Sequence, residues 1–113
     1  MNVERSEHAG RVVLAIEGAI KLGESGAQLS SALLSELEGG TGCVLLELSR
    51  INYADSTGIG ELVGYLSRFG EAGKRLVLVN PSERIRQLLR IARIESLFEI
   101  FESLEEALQA PGS

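Results

Sequence analysis

The sequence feature that most constrains the fold is a strand–turn–helix unit in the middle of the chain. An apolar run at residues 43–48 predicts a strand buried on both faces, and a polar turn follows at residues 51–60. Beyond the turn, apolar side chains recur at the three- and four-residue spacing of a helix with one buried face. They are Ile59, Leu62, Val63, Leu66 and Phe69. Such a unit is typical of a parallel sheet with crossover helices.

The same alternation of strands and helices continues on both sides of this unit. Further strands are predicted at residues 3–7, 11–17, 75–79 and 97–101, with Gly18 ending its strand and residues 19–23 forming a connection. Further helices are predicted over residues 24–38, after a cap at Ser82, and from Ser103 to about residue 108. The order predicts an α/β fold with a mixed, mostly parallel sheet of about five strands and about four helices. The length of 113 residues predicts one domain over residues 1–109 and a frayed tail at 110–113.

Charge and composition argue against several function classes. The net charge of −5 argues against nucleic acid as the main ligand, because phosphate contacts need a basic face. Basic residues gather at 74–93 and acidic residues at 94–113. We interpret this as a solvated basic helix beside an acidic one, with a docking surface for an acidic partner as the alternative.

A single cysteine and a single histidine limit the possible chemistry. Cys43 cannot form an intramolecular disulfide and is predicted to be buried and inert. With His8 it makes no plausible zinc site. No leader or transmembrane pattern is recognised, so we expect a cytoplasmic location and no membrane partner.

The polar turn is suited to carrying a phosphate. A helix N-terminus offers free N–H groups and a partial positive charge, so it favours an anion. A phosphate on Ser56 would add roughly −1.5 to −2 charges there, and the nearby glycines leave the backbone open to approach. The alternative is that Ser56 or Thr57 only caps the helix.

Three enzymatic interpretations of the turn fail on spacing. A nucleophile elbow needs glycine where Ala54 stands, and the histidine precedes the serine instead of following it. A dinucleotide fingerprint would need its third glycine one residue before Gly64, and the lysine of a phosphate loop is missing. Asp55 and Glu61 have no evident base or metal partner. We therefore predict no catalytic residue, no metal, no cofactor and no enzyme activity.

The hexapeptide at residues 55–60, Asp-Ser-Thr-Gly-Ile-Gly, closely resembles the signature of the bacterial anti-sigma-factor antagonists, members of the STAS domain family. The resemblance extends to the chain length, the element order, the Asn80–Pro81 turn, and the strand at 97–101 with its closing helix. It implies a single STAS domain that binds an anti-sigma factor, which is also a serine kinase of the GHKL type. Binding by the unphosphorylated form would release the sigma factor. Phosphorylation would end binding, and a PP2C-type phosphatase would restore it.

The resemblance also implies roles for individual residues. Ser56 would be the phosphoacceptor, and five neighbours would lie in the partner surface: Asp55, Thr57, Gly58, Ile59 and Glu61. The sequence departs from the family at Ala54, where a bulky apolar residue is usual, and at Lys21, near where many antagonists carry an acidic residue. We expect that Lys21 could pair with a phosphate on Ser56.

Two alternative functions remain open on the sequence. One is a non-switching STAS scaffold in a stress-signalling or lipid-transport complex. The other is a nucleotide or small-molecule binder that uses the same helix N-terminus.

Overall fold

A five-stranded sheet with its strands in chain order organises the fold. The computed structural model describes residues 1–20, 24–39 and 42–109. The strands are β1 (Asn2–His8), β2 (Arg11–Ile20), β3 (Cys43–Ala54), β4 (Arg75–Val79) and β5 (Glu99–Phe101). The helices are α1 (Glu24–Glu38), α2 (Ser56–Glu71), α3 (Glu83–Ile91) and α4 (Leu104–Gln109), with a short 3₁₀ helix at Glu95–Leu97.

The strand directions confirm the predicted mixed, mostly parallel sheet. β1 runs antiparallel to β2, and every other neighbouring pair runs parallel. Parallel neighbours need a crossover, which α1, α2 and α3 provide in turn. The predicted α/β class and element order are therefore confirmed. The predicted tail at 110–113 and the segment 21–23 lie outside the described residues.

Apolar side chains cover the sheet on both faces. Successive strand residues point to opposite faces, so Leu14 joins a large core with Phe69 of α2, whereas Val13 joins a smaller core with Ala107 of α4. Cys43 lies in the smaller core and is buried, as predicted. Full burial of an apolar side chain contributes roughly 1.5–3 kcal/mol, so both layers stabilise the sheet.

β2 and β3 both extend further than predicted, and this extension places the polar turn. β2 does not end at Gly18 but continues to Ile20, with Gly18 at a φ of 119° that suits glycine. β3 continues to Ala54, which pairs with Ile20 after shifts in register. β4 pairs only with residues 43–47 of β3. The last part of β3 therefore projects beyond β4, and α2 begins at its tip.

Serine side chains begin the last two helices, as predicted. Ile85 N donates to Ser82 Oγ at 3.4 Å, and Glu106 N donates to Ser103 Oγ at 3.1 Å. The predicted strand at 97–101 is too long, because a 3₁₀ turn includes Leu97, whose residue surface is 54% exposed. Pairing with β4 starts only at Glu99.

Candidate functional site

The polar turn lies at the carboxyl edge of the sheet, and Asp55 is the cap of α2. Asp55 Oδ1 accepts a hydrogen bond from Gly58 N at 2.8 Å, and Asp55 N donates to Ile20 O at 3.2 Å. An ionised cap oxygen satisfies an orphan N–H and complements the positive end of the helix. The alternative in which Ser56 or Thr57 caps the helix is therefore wrong. Both residues are exposed at the start of α2.

Gly58 and Ile59 shape the turn from the inside. An added Cβ at Gly58 would lie 2.7 Å from both Ile20 Cγ2 and Ile20 O. Glycine is thus required here for close packing of α2 on the end of β2. Ile59 is 3% exposed and belongs to the large core. These two residues can therefore contribute to a partner surface only by fixing the position of the backbone at the turn.

Glu61 connects two helices. Ser30 Oγ of α1 donates to Glu61 Oε2 at 3.1 Å, and Tyr65 OH of α2 donates to Ser30 O at 3.1 Å. Glu61 is half-buried, so one carboxylate oxygen is occupied within the protein. Its predicted place in a partner surface stays a prediction, but the structure adds an internal role that the sequence did not indicate.

An exposed aromatic and an arginine lie beside the turn. Tyr53 is 46% exposed, and the Arg84 guanidinium carbon lies 5.9 Å from the centre of its ring. Arg84 Nε donates to Ala54 O at 3.3 Å. Sequence reasoning missed Tyr53, although a large aromatic in a polar turn was a usable signal. Ala54 itself is fully buried, so that departure from the family pattern lies in the core.

Two arginines of the basic stretch are paired with carboxylates within the chain. Arg86 pairs with Glu102 at 2.7 Å, and Arg90 pairs with Glu83 at 2.9 Å. This arrangement favours the interpretation of a solvated basic helix beside an acidic segment. The alternative, in which Arg84, Arg86 and Arg90 meet acidic groups of a partner, loses support at Arg86 and Arg90, whose charges are paired within the chain.

Several other predictions concern what the chain lacks. Among the residues that the structure describes, no three His, Cys, Asp or Glu side chains gather into a possible metal site. No helix in the described part of the chain has the length and apolar character needed to cross a membrane. Lys21 lies outside the described residues, so its pairing with a phosphate on Ser56 stays a prediction.

Comparisons with known proteins give a family match and curated relatives. The family model described as the STAS domain matches residues 1–107. An anti-sigma-B factor antagonist of Staphylococcus epidermidis is 33% identical over 78 residues, which cover 69% of this chain and 72% of that protein.

Two solved structures share the fold. A candidate anti-sigma-factor antagonist from Thermotoga maritima has a TM-score of 0.85 at 21% identity and covers 95% of this chain and 92% of its own. The Bacillus cell-fate determinant SpoIIAA, solved in its phosphorylated form, has a TM-score of 0.74 at 18% identity and covers 95% and 96%. At these identities the likeness shows the fold alone.

Proposed function

The chain belongs to the STAS domain family, and we propose that it acts as an anti-sigma-factor antagonist controlled by phosphorylation of Ser56. The unphosphorylated form binds an anti-sigma factor that is also a serine kinase of the GHKL type, and this binding frees the sigma factor. Phosphorylation ends the complex, and a PP2C-type phosphatase restores it. In this proposal the protein is a cytoplasmic binding module with one domain over residues 1–109, and it is not an enzyme.

The observation that carries the proposal is the exposed Ser56 at the first position of α2. Because Asp55 supplies the cap, the Ser56 side chain is not needed to begin the helix. A kinase therefore meets a serine on a fixed backbone at the tip of the projecting β3. The positive end of α2 also favours the charge that a phosphate brings.

A phosphate at this place is suited to switching a protein interface off. It adds roughly −1.5 to −2 charges beside the Asp55 carboxylate and enlarges the side chain. In an interface, like-charge repulsion and the free energy needed to remove water from the phosphate together cost several kcal/mol. A loss of about 4 kcal/mol weakens affinity about a thousandfold. The likeness of the fold to that of phosphorylated SpoIIAA supports the view that this architecture can accommodate a phosphate.

The test compares Ser56→Asp, Ser56→Ala and Thr57→Ala in binding to the purified kinase partner by titration calorimetry. The partner is first captured from the host lysate with the wild type and identified by mass spectrometry. We expect Ser56→Ala to bind like the wild type and Ser56→Asp to bind at least a hundredfold more weakly. Thr57→Ala removes a hydroxyl from the predicted partner surface without adding charge, so it should weaken binding far less than Ser56→Asp does.

Incubation of the wild type with kinase and ATP should add one phosphate, which peptide mapping should place on Ser56. Thr57→Ala is the matched control, because it changes the neighbouring exposed hydroxyl and leaves Ser56 in place. Equal affinities of Ser56→Asp and Ser56→Ala would contradict the switch and favour the non-switching scaffold.

A further inference from the structure

We propose that the Arg84 side chain moves to bind the phosphate on Ser56, and that this movement exposes the face of the Tyr53 ring over which Arg84 lies. The proposal rests on the proposed function in one respect, since it concerns the phosphorylated form. It adds a residue from α3 to a site that the sequence analysis builds from the turn, the start of α2 and Lys21. Phosphorylation would then change the surface at Tyr53 as well as the charge at Ser56.

The projection of β3 beyond β4 brings α3 to the turn. Past residue 47 the edge of β3 has no strand partner in β4, and the start of α3 lies there instead. Ser82 N donates to Leu48 O at 3.1 Å, which anchors the start of α3 on β3. From the first turn of α3, Arg84 reaches the tip of β3, where its Nε donates to Ala54 O.

Arg84 is only weakly held in this position. Its hydrogen bond to Ala54 O is 3.3 Å long, beyond the usual N–H···O range of 2.7–3.2 Å. Its distance of 5.9 Å from the Tyr53 ring is near the limit of about 6 Å for a cation–π contact. Its two terminal nitrogens make no hydrogen bond to any residue in the described part of the chain. An arginine has five N–H donors, so several are available for a new acceptor.

Other arginines of α3 do not share this state. Arg86 is paired with Glu102, and Arg90 is paired with Glu83. Within the described ranges, Arg84 is thus the α3 cation that contacts the turn and has no carboxylate partner. A phosphate arriving at Ser56 would therefore meet an arginine without displacing an ion pair.

A rearrangement of the Arg84 side chain is enough to bring its guanidinium group to a phosphate on Ser56. Consecutive Cα atoms are about 3.8 Å apart, so Ser56 Cα lies at most about 7.6 Å from the Cα of Ala54. A phosphate oxygen is a charged acceptor, and charge-assisted hydrogen bonds are roughly twice as strong as neutral ones. Arg84 should therefore leave the Ala54 carbonyl for the phosphate, which also offsets the repulsion from Asp55.

The experiment uses the full chain with phosphoserine installed at position 56 during translation by amber suppression. The pH titration of its ³¹P signal gives the second pKa of the phosphate in the wild type, R84Q and R90Q. A nearby opposite charge favours the doubly charged phosphate and lowers this pKa. We expect R84Q to raise the pKa by about 0.5, a shift reduced by solvent screening, and R90Q to leave it within about 0.1 of the wild-type value. Equal pKa values in R84Q and R90Q would overturn the proposal.

A second readout needs no substitution. In ¹H–¹⁵N spectra of the wild type, the Arg84 Nε–Hε signal should move between the unphosphorylated and phosphorylated forms, while the Arg90 signal should stay. A stationary Arg84 signal would also overturn the proposal. Because the phosphoserine is installed without a kinase, a failure of any kinase to modify Ser56 would contradict the proposed function and leave both of these results intact.

Discussion

Gly58 should be the position of α2 that tolerates a methyl group least. A Cβ placed there would lie 2.7 Å from Ile20 Cγ2 and Ile20 O and 2.9 Å from Ile20 C. Two of these atoms belong to the backbone of β2, which pairs with Ala54 at this place and cannot easily withdraw. By contrast, a Cβ at Gly64 of the same helix would meet nothing within 4 Å.

The pair Gly58→Ala and Gly64→Ala separates this clash from helix propensity. Replacing glycine by alanine inside a helix gains about 1 kcal/mol at either position, because alanine loses less backbone entropy. The clash at Gly58 opposes that gain with an overpacking cost of about 1–3 kcal/mol, and more if the backbone must move. The two variants should therefore differ in free energy of unfolding by about 1–3 kcal/mol, with Gly64→Ala more stable than the wild type.

Urea unfolding followed by circular dichroism measures both free energies, with the slope of each transition checked for a common value. At this chain length a difference of about 2 kcal/mol corresponds to a shift of roughly 8 °C in Tm. If Gly58→Ala were as stable as Gly64→Ala, the close packing of α2 on Ile20 would be refuted. Gly58 would then not be needed for the packing of the start of α2, which carries Ser56, on β2.

Two further substitutions test the local structure. Asp55→Ala should lower the free energy of unfolding by about 0.5–2 kcal/mol, because it removes the cap of α2. Thr57→Ala, at an exposed position, should change the same free energy by less than about 0.5 kcal/mol. Equal effects of the two variants in urea unfolding would contradict the capping role of Asp55. Arg5→Ala should lower the Tm more than Arg50→Ala, because it leaves the buried Glu36 carboxylate without its partner at 2.7 Å, whereas the Arg50 pair with Glu17 is exposed. The hydrogen bond and charge of Glu36 raise the pKa of Arg5. The contribution of Arg5 to stability is therefore present below the ordinary pKa of arginine and is lost only as the pH rises above it. If the difference in Tm between Arg5→Ala and the wild type disappeared between pH 7 and pH 9, this assignment would be contradicted.

Strand and helix identity followed from periodicity, but strand ends did not. The predicted strand at 75–79 coincides with β4, whose burial on both faces gives an uninterrupted apolar run. The last part of β3, which projects beyond β4, contains the exposed residues Asn52 and Tyr53. That polar character resembles a turn in the sequence. Only the pairing of Ala54 with Ile20 shows that the strand continues.

The site was predictable as a location but not as a set of contacts. The sequence indicates a polar turn before a helix, and the structure places an exposed Ser56 there. The capping role of Asp55 competes with those of two neighbouring hydroxyls, and local propensity does not separate them. Glu61 with Ser30 and Arg84 with Ala54 are contacts between elements about 30 residues apart in the chain. They depend on helix positions that no local pattern specifies.

The turn is rigidly supported, and this bears on how a phosphate could act. Asp55 N is bonded to Ile20 O, Gly58 is packed on the same residue, and Ala54 beneath the turn is fully buried. These contacts fix the turn on the end of β2. A phosphate on the exposed Ser56 side chain should therefore leave the backbone conformation unchanged. Its effect should therefore be confined to surface charge, side-chain bulk and the position of Arg84. A switch of this kind alters the partner surface while the fold stays the same, which allows a phosphatase to restore the original surface by removing one group.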